Sequence, residues 1–570
     1  MEPEAKEIIA NGKAADASRS SPASAHSSGC SKQDGAMTPK EAVDWLDPTS
    51  WKETTAAEKL ALLRQLRENL SRHTDELVQA DCEMKGIRHG DEDNIHQEGT
   101  AIQSCVLPVG GRINACIDLY ESLVDGKMPG PIGIARVDAE RYDVHVFPRH
   151  AKDKVLYFDR RDCLRVKGEP TQANPLEQNG GVIAVLGAGN FSSSFEMING
   201  LFLENCAVVH KPHHLNEKSD TVWERIMKPL VDHRALSFCD ANGGRALVND
   251  RRLKQIYFTG GAPAAKAIMK STSTEFVAEC GGNNPCIIVP GDTPWTASQI
   301  EHQASVIATM AKLNGGAVCG RPQTLVTSKH WPQRRLFLDA LQKALEHTTP
   351  GSSSYYPDTA EVFGSFRTAY PDARLIRPKD TVPDSEVLFI EGAEEDGFAT
   401  HHEAFCQVLD EVPLNVAAEP EPFLERATAF CNDKLLGTLG CSIIIDDRSA
   451  KQHKAILGRA VTELNYGAIG VNLMPPHVWM NPYLTWGGNE EGRPLVSGSG
   501  NFGNALCFKN VEKSIAVSPF ISWGHFATKN KRAWYDLSRE AAKFTTHPSW
   551  GRLIAMSTVT LSGSMKSKDF

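Results

Sequence analysis

One thiol, Cys319, lies in KLNGGAVCGRPQ (312–323), a run of small residues followed directly by the strand-like TLVTS. Four other short stretches carry groups that could work with it. GAGN ends on the amide Asn190, HKP presents Lys211, FTGG makes a glycine turn at Gly260 and Gly261, and ECGGNNP opens on the carboxylate Glu279. Taken singly, each residue has an ordinary structural role: Asn190 as a helix N-cap, Lys211 as a surface cation, the glycines as a tight turn, Glu279 as a solvated side chain. Together they offer a nucleophile, a proton acceptor, an oxyanion donor and a nucleotide-compatible turn. These are the parts needed to oxidise a carbonyl through a covalent intermediate.

Chemistry of that kind needs a scaffold that brings loops together, and the sequence predicts one. VIAVLGA, CAVVHKP and KQIYFTG each read as a strand followed by a helical stretch. A second series, PCIIVPG, TLVTS, VLFIEG, CSIIIDD and GAIGVN, is likewise separated by helical segments. Repeated strand–helix alternation favours parallel sheets covered by helices, here as two α/β units in sequence. Open α/β sheets bind ligands beyond the carboxyl ends of their strands, where the suggestive residues fall. Upstream, TTAAEKLALLRQLRENL reads as a packing helix: Thr55 and Glu58 have capping-box spacing, and Leu63, Leu66, Leu70 and Leu77 recur on one face.

Composition narrows the function class. The chain has 570 residues, 41% of them hydrophobic, enough for more than one core. A net charge of -9 with no basic stripe argues against nucleic acid as a partner. The longest apolar runs fall far short of the roughly 20 residues that cross a bilayer. The 14 cysteines are scattered without a CxxC pair, as expected for reduced thiols in an intracellular, cytoplasmic setting. Residues 1–38, rich in Ala and Ser, are expected to be disordered. They carry Glu2, Glu4, Glu7, Asp16 and Asp34, unlike a basic transit peptide, which leaves organelle import open but unsupported. The adjacent pairs His213–His214 and His401–His402 would point to opposite faces of an extended chain, so no metal site is expected.

GAGNF, VVHKP, IYFTGG, ECGGNNP, NGGAVC, HEAF and YGAIGVN occur in an order and spacing that resembles the aldehyde dehydrogenase superfamily, over roughly residues 100–515. The branch it looks most like is a divergent, little-characterised one. The resemblance implies a Rossmann-type cofactor domain, an α/β catalytic domain and a small oligomerisation element. The corresponding divisions are a disordered 1–38, N-terminal helices with the nucleotide-binding domain over 39–278, a catalytic domain over 279–475, and a return to the cofactor and oligomerisation regions with an aromatic tail over 476–570. It further implies Cys319 as nucleophile, Asn190 with the Cys319 N–H as oxyanion donors, and Glu279 as activator of the hydrolytic water. Lys211, Gly260, Gly261, Glu403 and Phe405 would hold NAD or NADP. Phe195, Ile198 and Val318 would border the aldehyde pocket. The segment 506–518 is expected to pair across a homodimer or homotetramer, and the tail after about 520, with Trp523, Phe526, Trp534, Tyr535 and Trp550, to pack over the substrate entrance.

The chain departs from the family pattern in three places. Gly261 and Ala265 stand where the glycine turn usually has Ser and Gly. His214 replaces a glutamate that binds the adenosine ribose in many NAD-preferring members, which makes NADP admissible. Gly316–Ala317 replaces Gly-Gln before the nucleophile, and EAFCQV (403–408) places a second thiol, Cys406, close to the expected nicotinamide pocket. Two other functions stay open at this level: a relative that forms or reduces acyl thioesters, against which the retained Glu279 argues, and a nucleotide-binding scaffold of weak activity.

Overall fold

The computed structural model describes residues 36–192, 195–347, 353–379, 382, 384–490, 494–522 and 529–566. Most of the expected disordered lead, residues 1–35, lies outside them, as do Trp523 and Phe526. Thr38, assigned by sequence to that lead, is instead the N-cap of the first helix, Pro39–Trp45, in a capping box with Glu41. Thr55 and Glu58 cap the helix Ala56–Arg72 in the same way, and Leu63, Leu66 and Leu70 are fully buried along it. Leu77 is also buried, but on a separate helix, Thr74–Met84.

Both faces of the smaller sheet are covered, which is why its strands read as continuous apolar runs rather than alternating ones. Its order is Gly498–Ser499, Glu275–Glu279, Leu253–Thr259, Val182–Leu186, Ala207–Lys211 and Leu236–Phe238, all parallel except the first. Every residue of Val182–Leu186 is buried. The parallel strands therefore present their carboxyl ends at one edge. The loops bearing Asn190, Lys211, Gly260–Gly261 and Glu279 all leave from that edge.

Among the described residues, the larger sheet has 11 strands. Its parallel centre runs from Val511–Val517 through Ala468–Val471, Gly440–Ile444, Asn284–Ile288, Pro322–Ser328 and Val408–Leu414 to Val387–Ile390. Residues 133–167, grouped by sequence with the nucleotide-binding unit, supply three antiparallel strands to this sheet instead. The expected strand pairing across a dimer is not what the fold shows. Val511–Val517 is bonded on one edge to Arg161–Lys167 and on the other to Ala468–Val471 of the same chain, so neither edge is open to a partner strand.

Two helices, Lys531–Thr546 and Trp550–Met565, complete the chain. The first lies against the 30-residue helix Ile95–Val124. Two glycines of that long helix allow the close approach. A Cβ at Gly99 would sit 3.1 Å from the Tyr535 Cα, and one at Gly110 would sit 2.4 Å from the Thr545 methyl. The tail packs on the body, and Trp534, one of the aromatics singled out in the sequence, takes part by stacking on His96 and donating to the Thr100 hydroxyl at 3.2 Å.

Candidate active site

The turn that holds the thiol is built from left-handed backbone. Asn314, Gly315 and Gly316 have φ of 55°, 65° and 83°. Such a run reverses the chain sharply after the helix Ala297–Lys312, and glycine and asparagine are the residues that tolerate it. Gly316 has no room for a side chain, since a Cβ there would lie 2.3 Å from the Cys406 carbonyl carbon. Gly316→Ala is expected to cost about 2 kcal/mol or more, from the backbone conformation and the clash together. Urea denaturation alongside the turnover rate would check it. Asn284, the second asparagine of ECGGNNP, pins the other side of the turn by donating to the carbonyls of Cys319 (2.6 Å) and Arg321 (3.0 Å). The Cys319 N–H donates to no acceptor among the described residues.

Asn190 is buried and laced to this turn. Its Nδ2 donates to the Ala317 carbonyl at 3.0 Å, and its own carbonyl accepts from Asn314 Nδ2 (3.1 Å) and the Tyr355 hydroxyl (2.9 Å). One amide hydrogen of Asn190 is left for another acceptor. Asn314 and Tyr355 are positioning residues that sequence reasoning passed over; the Asn-Gly-Gly ahead of the thiol was a usable signal for the first, and nothing local marks the second.

Glu279 closes the small sheet at the same place. Gly498–Ser499 pairs antiparallel with Ala278 and Glu279, and a Cβ at Gly498 would meet the Ala278 carbonyl oxygen at 2.0 Å. Ahead of this pairing, Glu490 accepts the N–H groups of Val496, Ser497 and Gly498. The Glu279 carboxyl is approached by the Cys319 thiol and the Trp486 indole, and burial pushes its pKa up to about 8. Its Oε1 is buried with no hydrogen-bond partner among the described residues. Burial, with Glu279 beside it, holds the Cys319 thiol well above its ordinary value. Trp486 also abuts Gly320, where a Cβ would sit 2.6 Å from the indole ring. It is a further residue of the site that sequence did not suggest.

The residues expected to hold a nicotinamide nucleotide fall along the carboxyl edge of the small sheet and opposite it. Lys211 ends its strand half-buried, and burial lowers its pKa. His214 stands exposed three residues on, with no carboxylate in its place. The Gly260 N–H donates to the Glu279 carbonyl at 3.0 Å, tying two strand ends together. Gly261 starts the helix Ala262–Ser271 with no side-chain cap, so the first turn keeps N–H groups that favour an anion. Glu403 lies over Gly281, where a Cβ would come 1.7 Å from its Oε1; burial raises the Glu403 pKa to about 7. Phe405 takes a φ of 45° and packs edge-on to Tyr356 with ring centroids 5.0 Å apart. An uncapped helix start, a poorly solvated ammonium and a glycine cradle under a carboxylate suit a phosphate-bearing, ribose-bearing ligand.

A cavity of about 740 Å³ ends at Cys319. Val318 lines it; Phe195 and Ile198 do not. The segment after Asn190 was read as one helix, but a short α-helical turn, Glu196–Ile198, passes into a π-helical one, Asn199–Leu203. Phe195 and Ile198 are buried in the core, with the Phe195 ring held between Arg112 and Trp479. Phe191 takes their place at the wall, stacked on Trp479 at 5.3 Å.

Residues 168–362 match the model of the aldehyde dehydrogenase family. That span contains Asn190, Lys211, Glu279 and Cys319. The chain is 25% identical over 205 residues to "Aldehyde dehydrogenase family 3 member I1, chloroplastic" of Arabidopsis thaliana, covering 35% of this chain and 36% of that protein. It is 26% identical over 343 residues to "N-succinylglutamate 5-semialdehyde dehydrogenase 1" of Caulobacter vibrioides, covering 56% of this chain and 66% of that one. The chain thus spans about a third to two thirds of the lengths of these curated relatives. Among solved structures, the NADP-dependent glyceraldehyde-3-phosphate dehydrogenase of Bacillus halodurans, complexed with NADP, superposes with a TM-score of 0.58 at 14% identity, over 85% of this chain and 92% of that one.

Proposed function

We propose that the chain is an aldehyde dehydrogenase that oxidises an aldehyde to a carboxylic acid through a thioester on Cys319, a reading supported by the family match over residues 168–362. The observation that carries this reading is that the Cys319 thiol, which lines the cavity, is met by the Glu279 carboxyl, while the Asn190 amide is tied to the same turn through the Ala317 carbonyl. Glu279 in its carboxylate form takes the thiol proton, and the sulfur bonds to the aldehyde carbon. The oxygen becomes anionic against the Cys319 N–H and the remaining Asn190 amide hydrogen, both fixed before the reaction begins. A bound nicotinamide supplies the acceptor for the hydride lost from that carbon. Glu279 passes its proton on to solvent and then takes one from a water whose oxygen adds to the thioester carbon. Breaking the C–S bond releases the acid and restores the thiolate.

Lys211, the uncapped helix start after Gly261, Glu403 and Phe405 would hold the nicotinamide nucleotide. With His214 where a ribose-binding carboxylate is usual, a 2′-phosphate meets no like charge at that position, and NADP is admitted alongside NAD. The intact Glu279, with an unpartnered oxygen, favours release to water over transfer to another thiol.

The testing experiment follows nicotinamide absorbance with purified protein over short, long-chain and aromatic aldehydes, with NAD and NADP in parallel and Cys319→Ala as control. Turnover that depends on Cys319 and yields the free acid supports the reading; acyl-thiol products, or equal silence of both proteins, overturn it. Asn190→Ala is expected to lower kcat by about 10²- to 10³-fold with little change in KM, because its amide acts on the developing oxyanion and not on the ground-state carbonyl. Steady-state kinetics at saturating cofactor reads that split.

A further inference from the structure

The reacting carbon must sit at Cys319, so the rest of the substrate has to occupy the cavity that ends there. That cavity is at the large end of the range for small-molecule sites. Near the thiol its walls are Phe191, Trp479 and Trp486. Val306, Met310 and Leu313 follow on one side, spaced four and three residues apart. The outer wall comes from the two C-terminal helices, through Trp534, Leu537 and Leu561. These lie more than 200 residues downstream of the thiol and reach the cavity because Gly99 and Gly110 let the Lys531–Thr546 helix approach so closely.

The two cationic side chains on the wall are already engaged, and Asp159 stands exposed. Arg160 is paired with Asp162 at 2.8 Å and donates to the His477 carbonyl, and Lys312 donates to the Leu345 carbonyl at 2.8 Å. An anionic substrate tail finds no dedicated counter-ion there. The mouth is apolar as well: Val155, Phe158 and Leu561 line the cavity and are 59%, 73% and 63% exposed. On the last helix, Ile554 and Met565 extend the strip that Leu561 begins, at spacings of seven and four residues. A soluble protein seldom leaves large apolar side chains around the entrance of an apolar cavity unless something apolar passes through it.

Resting on the aldehyde-oxidising reading above, we propose that the substrate is a long-chain aliphatic aldehyde, its alkyl tail running from Cys319 along this cavity and out between Phe158 and Leu561. The C-terminal helices are then the element that sets chain-length preference. Each methylene that enters the cavity is expected to raise kcat/KM by about fourfold until the tail reaches the rim.

The test measures kcat/KM of the full-length protein for straight-chain aldehydes from butanal to hexadecanal, with succinic semialdehyde as the charged comparison. It also titrates n-alkanols of the same lengths against tryptophan fluorescence, which needs no turnover. Leu537→Trp fills the wall and Leu561→Asp charges the exposed rim; each is expected to lower the ratio of kcat/KM for hexadecanal over butanal by tenfold or more. Leu561 is surface-exposed, so its variant keeps the test open if Leu537→Trp does not fold. Cys319-dependent turnover with a flat or falling length dependence, or with succinic semialdehyde preferred, overturns this inference and leaves the reaction standing. Length-dependent alkanol binding without turnover of any aldehyde overturns the reaction and supports the alkyl site. Loss of both dependences overturns the two together.

Discussion

Cys319→Ala is expected to lower kcat/KM for aldehyde oxidation by about 10⁴-fold or more while the protein still binds nucleotide. The size follows from the role: when a covalent intermediate forms on one atom, removing that atom removes the route, and what remains is the modest catalysis of the oxyanion donors and binding alone. The substitution should be benign to the fold. Cys319 borders a cavity, and the turn that presents it is held by Gly316, Asn284 and Asn314 through main-chain geometry and carbonyl contacts independent of the sulfur. Equal melting temperatures for mutant and wild type, with nucleotide affinity by titration calorimetry, separate loss of chemistry from loss of structure. A mutant that keeps more than a tenth of the activity would assign the nucleophile elsewhere; Cys406, buried behind Gly316, is the next thiol to test.

The second large effect is in pH. Burial raises the Glu279 pKa to about 8, so the carboxylate that accepts protons is the minor form at neutral pH. Below about pH 8 the rate is expected to fall by up to tenfold per pH unit, and above it to level off. Glu279→Gln should lower kcat by about 10²- to 10⁴-fold and abolish that limb, because the amide can neither take the thiol proton nor activate water. A rate profile for the variant with the limb intact would move the titrating group away from Glu279.

The same group ties pH to stability. A carboxyl whose folded pKa lies above its unfolded value contributes stability that is fully present below the unfolded pKa and is lost as pH rises through the folded one. Glu279 at about 8, with Glu403 and Asp410 each raised to about 7 by burial, act in the same direction. The melting temperature should therefore fall between about pH 5 and pH 9, and fall less in Glu279→Gln. Calorimetry across that range reads the difference.

Much of this was legible in the chain itself. The parallel strands announced themselves as short apolar runs ahead of helical stretches, because a strand buried on both faces has no polar face to alternate. Their carboxyl ends, and with them the loops of Asn190, Lys211 and Glu279, followed from the rule that parallel strands present their ends at one edge; Cys319 instead precedes its strand, Pro322–Ser328. Asn-Gly-Gly before the thiol and the capping box at Thr55 are local features with local causes. Residue type and spacing are enough for these, since each depends on neighbours a few positions away.

Only the tertiary structure decided the rest. Phe195 and Ile198 went to the core, where the Phe195 ring packs between Arg112 and Trp479, partners more than 80 residues away that apolar periodicity does not encode. The strand 511–517 returned to its own sheet, since both partners that satisfy its backbone were available within the chain. Trp486 came to Glu279, Tyr355 to Asn190 and Leu561 to the mouth of the cavity across separations of 165 to more than 200 residues. Contacts of that range are chosen by packing of whole surfaces, so the thiol and its carboxylate were determined by sequence, while the shape of what they act on was left to the fold.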